Sequence, residues 1–276
     1  MDYRGKLHVR ILRFIILGIV LIVTLTPIYI VVSNSFRPTL EMKQMPPRLI
    51  FEPTLIHLQR LIERDNFLRY FRNTLVISVS VTVSAIILGS LSAYGLKLFQ
   101  SRIGERLTNV LLLGKLVPSI TILIPFYVML NRIHLTGTFV GPILAHTAIT
   151  LPFVTWLMES FVRGLPHELL ESANIDGATR LLTFRKIVFP LLTPAIASAL
   201  VLVMRFSWNE LMFSLQLTNI NTYPLTVGIA RYVGAISVDW GKSSMAATIA
   251  MVPLIAIGFF MQKYLVSGLT AGAVKN

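Results

Sequence analysis

The 276-residue sequence contains no cysteine, and only 13% of its residues are charged. Without cysteine there is no disulfide, no thiolate zinc site, no iron–sulfur cluster and no thiol nucleophile. The charged fraction is about half the roughly 25% typical of soluble globular chains. Acidic residues are the scarcer sign, 12 against 25 Lys and Arg, which leaves a net charge of +13. Catalytic signatures are missing too. The five histidines are scattered, with no H-E-x-x-H pair to hold zinc. Gly241-Lys242-Ser243 has the ending of a phosphate-binding loop, but the glycine required five residues before Gly241 is Ile236.

What is abundant is apolar sequence, 54% of residues, with a mean hydropathy of +0.72. That excludes a disordered chain and argues against a soluble enzyme. A basic chain could bind nucleic acid, but here the basic residues lie between long uncharged runs, so a membrane and not a nucleic acid is implied. Crossing a bilayer core of about 30 Å takes about 20 apolar residues. Segments of that kind lie at about 14–36, 73–96, 107–131, 133–162, 187–212 and 243–264, the third interrupted by Lys115. The expectation is an all-α, polytopic membrane protein: one transmembrane domain over 1–276 with six transmembrane helices. The first run follows a basic start, Arg4 to Arg13, but is too long for a signal-peptide core, so it reads as a retained span. The stretch Gln216–Pro224 is polar and turn-rich and reads as loop, within an outer loop at about 217–242.

Lys and Arg in short loops place both termini in the cytoplasm. The inner segments then hold Lys97, Arg102, Arg106, Arg163, Arg180, Arg185 and Lys186. The short outer loops hold only Arg132, Arg231 and Lys242; the long first outer loop dissents with seven basic residues and four acidic ones. In that loop Leu55, Leu58, Leu61 and Ile62 recur at helical spacing. They predict an amphipathic helix near the outer surface, either covering the span ends or gating.

The cytoplasmic loop between the fourth and fifth spans, 163–190, is the most informative segment. Pro166 suits a helix start and Glu168 and Glu171 suit its positive end. Leu169, Leu170 and Ala173 supply a short apolar face, and Gly177 fits the left-handed position just past a helix. A second helix is expected from near Thr179 into the fifth span. The first is a short helix parallel to the membrane, which must lie on lipid or dock into another protein.

Glu171-Ser172-Ala173, then Gly177, then Ile187-x-Phe189-Pro190 resembles the EAA loop of ATP-binding-cassette importer permeases. Ser172 and Phe189 depart from the family's Ala and Leu, and the spacing is intact. Other strings are similar to the carbohydrate, maltose-type branch and its smaller six-span partner: Leu25-Thr26-Pro27, Arg72-Asn73-Thr74-Leu75, Trp208-Asn209-Glu210, Pro224 to Gly228, and the tail from Gly268. The resemblance implies a permease subunit in the cell inner membrane that has no ATPase site, catalytic residue, metal or cofactor of its own. ATP and Mg would be bound by two cytoplasmic ATPase subunits. A second permease subunit, an extracytoplasmic solute-binding protein and membrane lipid complete the implied partners. The solute would be a sugar or oligosaccharide moved by alternating access, with glycerol phosphate or another small solute as the alternative.

Carried over, Glu171 would pair with a basic residue in a cleft of the ATPase. Leu169, Leu170, Ser172, Ala173 and Asp176 would fill or flank that cleft, and Gly177 would permit the turn. Gly272, Ala273 and Lys275 would either reach between the ATPase subunits or form a frayed end. Ser207, Trp208, Asn209 and Glu210 offer amide, carboxylate and aromatic groups of the kind that hold sugars, and stand either on the solute path or against the second permease. Arg205 and Asn209 share a helix face, and Glu210 is turned about 100° away. His146 reads as a hydrogen-bonded packing residue. A stand-alone membrane enzyme or secondary transporter would need a charged constellation inside the spans, and Lys115, Arg205 and Glu210 make a poor one.

Overall fold

A computed structural model describes residues 3–44, 50–98, 110–234 and 238–270. Arg102, Arg106, Gly272, Ala273 and Lys275 lie outside them. Besides a single 3-10 turn at Glu41–Lys43, the described residues form twelve helices: α1 (Tyr3–Phe36), α2 (Ile56–Arg64), α3 (Phe67–Leu98), α4 (Val110–Leu116), α5 (Ser119–Arg132), α6 (Val140–Arg163), α7 (His167–Ile175), α8 (Arg180–Leu191), α9 (Thr193–Asn209), α10 (Met212–Leu217), α11 (Leu225–Ala230) and α12 (Trp240–Thr270). Among them there is no strand, only an isolated bridge between Val233 and Val238. The chain is all-α.

Among the described residues four helices are long and apolar enough to cross a membrane: α1 from His8, α3, α6 and α12 as far as Gln262. Two bent pairs, α4–α5 and α8–α9, bring the total to six if each pair is one span. The third and fifth segments are thus sharply broken, by 100° and 76°. Prolines explain both breaks. Val117 precedes Pro118 and is held extended at φ −70°, ψ 124°, which ends α4. At the second break Pro194 has no N–H for the carbonyl of Pro190, four residues back. The Thr193 hydroxyl takes that carbonyl instead, at 2.5 Å.

The chain divides into two units. The first comprises Met1–Phe67 and Ile229–Val252. Between Phe14 and Ile30 its α1 is apolar on every side yet exposed; Phe14 is 74% and Ile22 68% accessible. A helix apolar all round is stable only when lipid or protein surrounds it. In α2 the inward residues are His57 and Leu61, whereas Leu55 and Ile62 are exposed, so the expected leucine stripe is narrower than its spacing suggested. The His57 ring packs against Gly241 at the start of α12, where an added Cβ would collide with it. Lys242 beside it is held by Asp65 at 3.1 Å and Asp239 at 3.5 Å. Gly241-Lys242 is therefore a packing contact and an ion-pair anchor, not a phosphate cradle. Gly241→Ala should destabilise this unit by about 1–3 kcal/mol through overpacking. In a His57→Ala background the same glycine substitution should cost much less in thermal unfolding, and an equal cost there would place the strain elsewhere.

The second unit comprises Leu68–Gly228 and Pro253–Asn276. Its core is built from α3 (Ile77, Val81, Ala85), α6 (Val154, Leu157, Met158, Val162), α8 (Phe184, Val188) and α9 (Ala195, Ala199, Val203). Small residues on α3 and α9 allow close helix approach, as membrane interfaces require. Buried hydroxyls of α3 spend themselves on their own helix: Ser78 donates to the Thr74 carbonyl at 2.6 Å and Thr82 to that of Ser78 at 2.7 Å. At the start of α3, Asn73 Nδ2 donates to the carbonyls of Asn221 (2.9 Å) and Tyr223 (3.0 Å), and Thr74 Oγ1 accepts from the Leu225 amide at 2.7 Å. The Asn73-Thr74 string thus pins the polar turn at 218–224, which the sequence marks as loop.

Candidate functional site

The loop after α6 has the form its residues predict. Pro166 stands at the N-cap of α7 and Glu168 in its first turn. The helix ends when Gly177 adopts φ +76°, a conformation costly to residues with a Cβ. The Ala178 amide then reaches the Ala173 carbonyl at 2.9 Å, closing a Schellman-type end. Thr179 caps α8, its hydroxyl accepting from the Leu182 amide at 3.3 Å. Replacing Gly177 by valine should fray this end and cost about 1–2 kcal/mol. Amide exchange at Asp176–Ala178 would report it, and unchanged protection there would refute it.

The faces of α7 divide differently from the expectation. Ala173 is buried within the chain and Leu170 packs on the second unit's core. These two residues seat the helix on its own spans. Outward stand Glu168, Leu169, Glu171, Ser172 and Ile175, with Asp176 and Gly177 exposed beyond them. Glu171 Oε1 lies 3.3 Å from His167 Nδ1, and both side chains are about half-exposed or more (67% and 48%). The exposed surface carries the Glu171 carboxylate with Ile175 one turn beyond it, and Leu169 is exposed further round the helix, suited to a cleft offering a cation and an apolar wall.

The four candidates at the end of α9 are separated. Ser207 and Glu210 turn to His146 on α6. Glu210 Oε2 lies 2.9 Å from His146 Nε2, and since a carboxylate only accepts, that nitrogen carries the hydrogen. The same oxygen accepts from the Ser214 amide at 3.0 Å and hydroxyl at 3.1 Å, and Oε1 accepts from the Phe213 amide at 2.9 Å. Glu210 thus caps α10 and joins it to α6. Trp208 is buried, edge-on to Phe71 with ring centroids 5.8 Å apart. Asn209 alone faces outward, its amide donating to the Arg205 carbonyl at 2.8 Å. A cavity of about 400 Å³ opens nearby, lined by Lys115, Phe126, Ile149, Pro152 and Phe206 among others. Its one cation, Lys115, sits 5.2 Å from the Phe153 ring centre. The neighbour of the candidates, Phe206, lines that cavity, and the four candidates themselves do not.

Comparison with known proteins decides what this assembly of helices is. Residues 85–271 match the family described as the binding-protein-dependent transport system inner membrane component. The chain belongs to this permease family. A trehalose/maltose transport system permease of Thermococcus litoralis is 33% identical over 282 aligned positions, covering 99% of each chain. A melibiose/raffinose/stachyose import permease of Bacillus subtilis is 33% identical over 78% of each. A solved bacterial ABC transporter that imports the acidic polysaccharide alginate shares the fold, with a TM-score of 0.82, 20% identity and coverage of 96% of this chain and 99% of the other. The permease is thus a multi-pass membrane subunit of an ABC importer that works with a solute-binding protein.

Proposed function

We propose that this permease takes up a sugar or oligosaccharide by alternating access, driven by ATP hydrolysed on two separate cytoplasmic subunits that hold the nucleotide and Mg. The observation that carries the coupling is α7: a short helix outside the spans, seated by Ala173 and Leu170 and offering Glu171 outward. Saccharide permeases that match the chain along most of their own length support the sugar. The basic residues of the short loops favour both termini in the cytoplasm, which puts α7 on the ATPase side. In this reading a second permease completes the path, and Gly272, Ala273 and Lys275 reach toward the ATPase pair. Asn209 is the one of the four path candidates left outward for solute; Ser207 and Glu210 hold the helices that frame it, and buried Trp208 packs beside them.

The test is to purify the affinity-tagged chain from its source cell in mild detergent and reconstitute it in vesicles. An ATPase and a second permease should co-purify. ATP hydrolysis should rise with a saccharide-loaded binding protein and be matched by uptake of that saccharide. Isolation of the chain alone, or uptake driven by an ion gradient without ATP, would overturn the reading.

A further inference from the structure

Lys97 enters the sequence reading only as one positive charge among several in the inner loops. In the fold it lies in the last turn of α3, and its ammonium is directed at the end of α6. It donates to the carbonyl oxygens of Val162 at 3.0 Å, Arg163 at 3.3 Å and Leu165 at 2.9 Å. An ammonium has three hydrogens and no accepting atom, so three carbonyls saturate it. Val162 and Arg163 close α6, where the negative end of the helix dipole favours a cation, and the Val162 carbonyl also accepts from the Leu165 amide at 3.2 Å. Leu165 stands in the turn beyond, directly before Pro166 and α7. One side chain therefore holds the inner end of one span, the inner end of another and the hinge leading to the outward helix.

We propose that Lys97 is a positioning residue for energy coupling: it clamps the α6–α7 turn to α3, so that a displacement of α7 moves α3 and α6 together. The proposal rests on α7 being the helix that docks into the ATPase. Packing alone does not need this clamp. Leu165 and Leu170 already rest on the core cluster, and Tyr94 and Phe184 close it from α3 and α8, their rings 5.5 Å apart. What the ammonium adds to that packing is a directional restraint on three backbone carbonyls.

The experiment uses the whole importer in vesicles and reads solute transported per ATP hydrolysed, ATPase co-purification and the melting midpoint for wild type, Lys97→Met and Lys97→Arg. Methionine keeps the stem and removes the charge and donors; arginine keeps both. For Lys97→Met the expected result is an assembled complex whose transport per ATP falls by about tenfold, the scale of losing charge-assisted hydrogen bonds. Lys97→Arg should restore most of it. An unchanged ratio in Lys97→Met would overturn the clamp. So would assembly, melting and transport falling together with the ratio intact, because that pattern describes a folding role only. If no ATPase accompanies even the wild-type chain, the docking reading itself fails and the clamp fails with it.

Discussion

Glu171→Ala is expected to leave the chain folded and inserted while abolishing most ATP-driven uptake. The carboxylate is 67% exposed, and its recorded partner is His167 one turn earlier, at 3.3 Å. An exposed helical pair contributes little to folding, and a surface substitution moves stability by about 0.5 kcal/mol or less. The cost appears when the helix docks. A charge truncated from a desolvated interfacial pair costs about 2–5 kcal/mol, which at its lower end is roughly a 30-fold loss of affinity. ATPase retention on the purified chain and uptake in vesicles should therefore fall together, with the melting midpoint unchanged. Glu171→Gln should fall between, since it keeps shape and one acceptor but not the charge. Wild-type uptake in Glu171→Ala would remove α7 from the coupling route. A lowered midpoint in step with uptake would make Glu171 a folding residue.

Much of this architecture is legible in the sequence because it is local. Span lengths follow from bilayer thickness, and Gly177 and Thr179 mark their turns through backbone geometry alone. The resemblance of the 163–190 loop agrees with the family match because that loop is a contiguous string of chemistry. What the sequence does not disclose is distant or directional. His146 and Glu210 are 64 positions apart, and nothing in the spacing of either predicts the other. The inward turn of Ala173 depends on which side of a nine-residue helix meets the spans, and one apolar stripe serves docking and seating equally well. Lys97 is an ordinary inner-loop lysine until the end of α6 is placed beside it. A proline in an apolar run is compatible with either a mild bend or a break, and Pro118 and Pro194 both mark breaks. Breaks result because Val117 takes the extended form before its proline, and Thr193 satisfies the carbonyl that Pro194 leaves free.

Glu210→Ala is expected to produce the largest loss of stability in this chain. The carboxylate gathers four donors: His146 Nε2, the Phe213 and Ser214 amides and the Ser214 hydroxyl. Its side chain is 9% accessible and that of His146 0%, so water cannot replace what is lost. Breaking a buried pair by removing one partner costs about 3–5 kcal/mol. For a chain of this size that lowers the melting midpoint by roughly 10 °C. Glu210→Gln should cost less, because one amide oxygen still accepts while its NH₂ group faces a donor. His146→Ala removes one of the four donors and leaves the α10 cap in place, so it should also be milder. The pair with Ala at both positions separates two explanations. If imidazole and carboxylate form one clasp between α6 and α10, the double variant is less destabilised than the sum of the single ones, as coupled residues are. Strict additivity would mean that Glu210 serves only as the cap of α10 and His146 only as packing. A clasp has a further consequence. Glu210 follows Asn209 directly, so loosening it should also weaken any saccharide contact that Asn209 makes, raising the half-saturating solute concentration before uptake is lost.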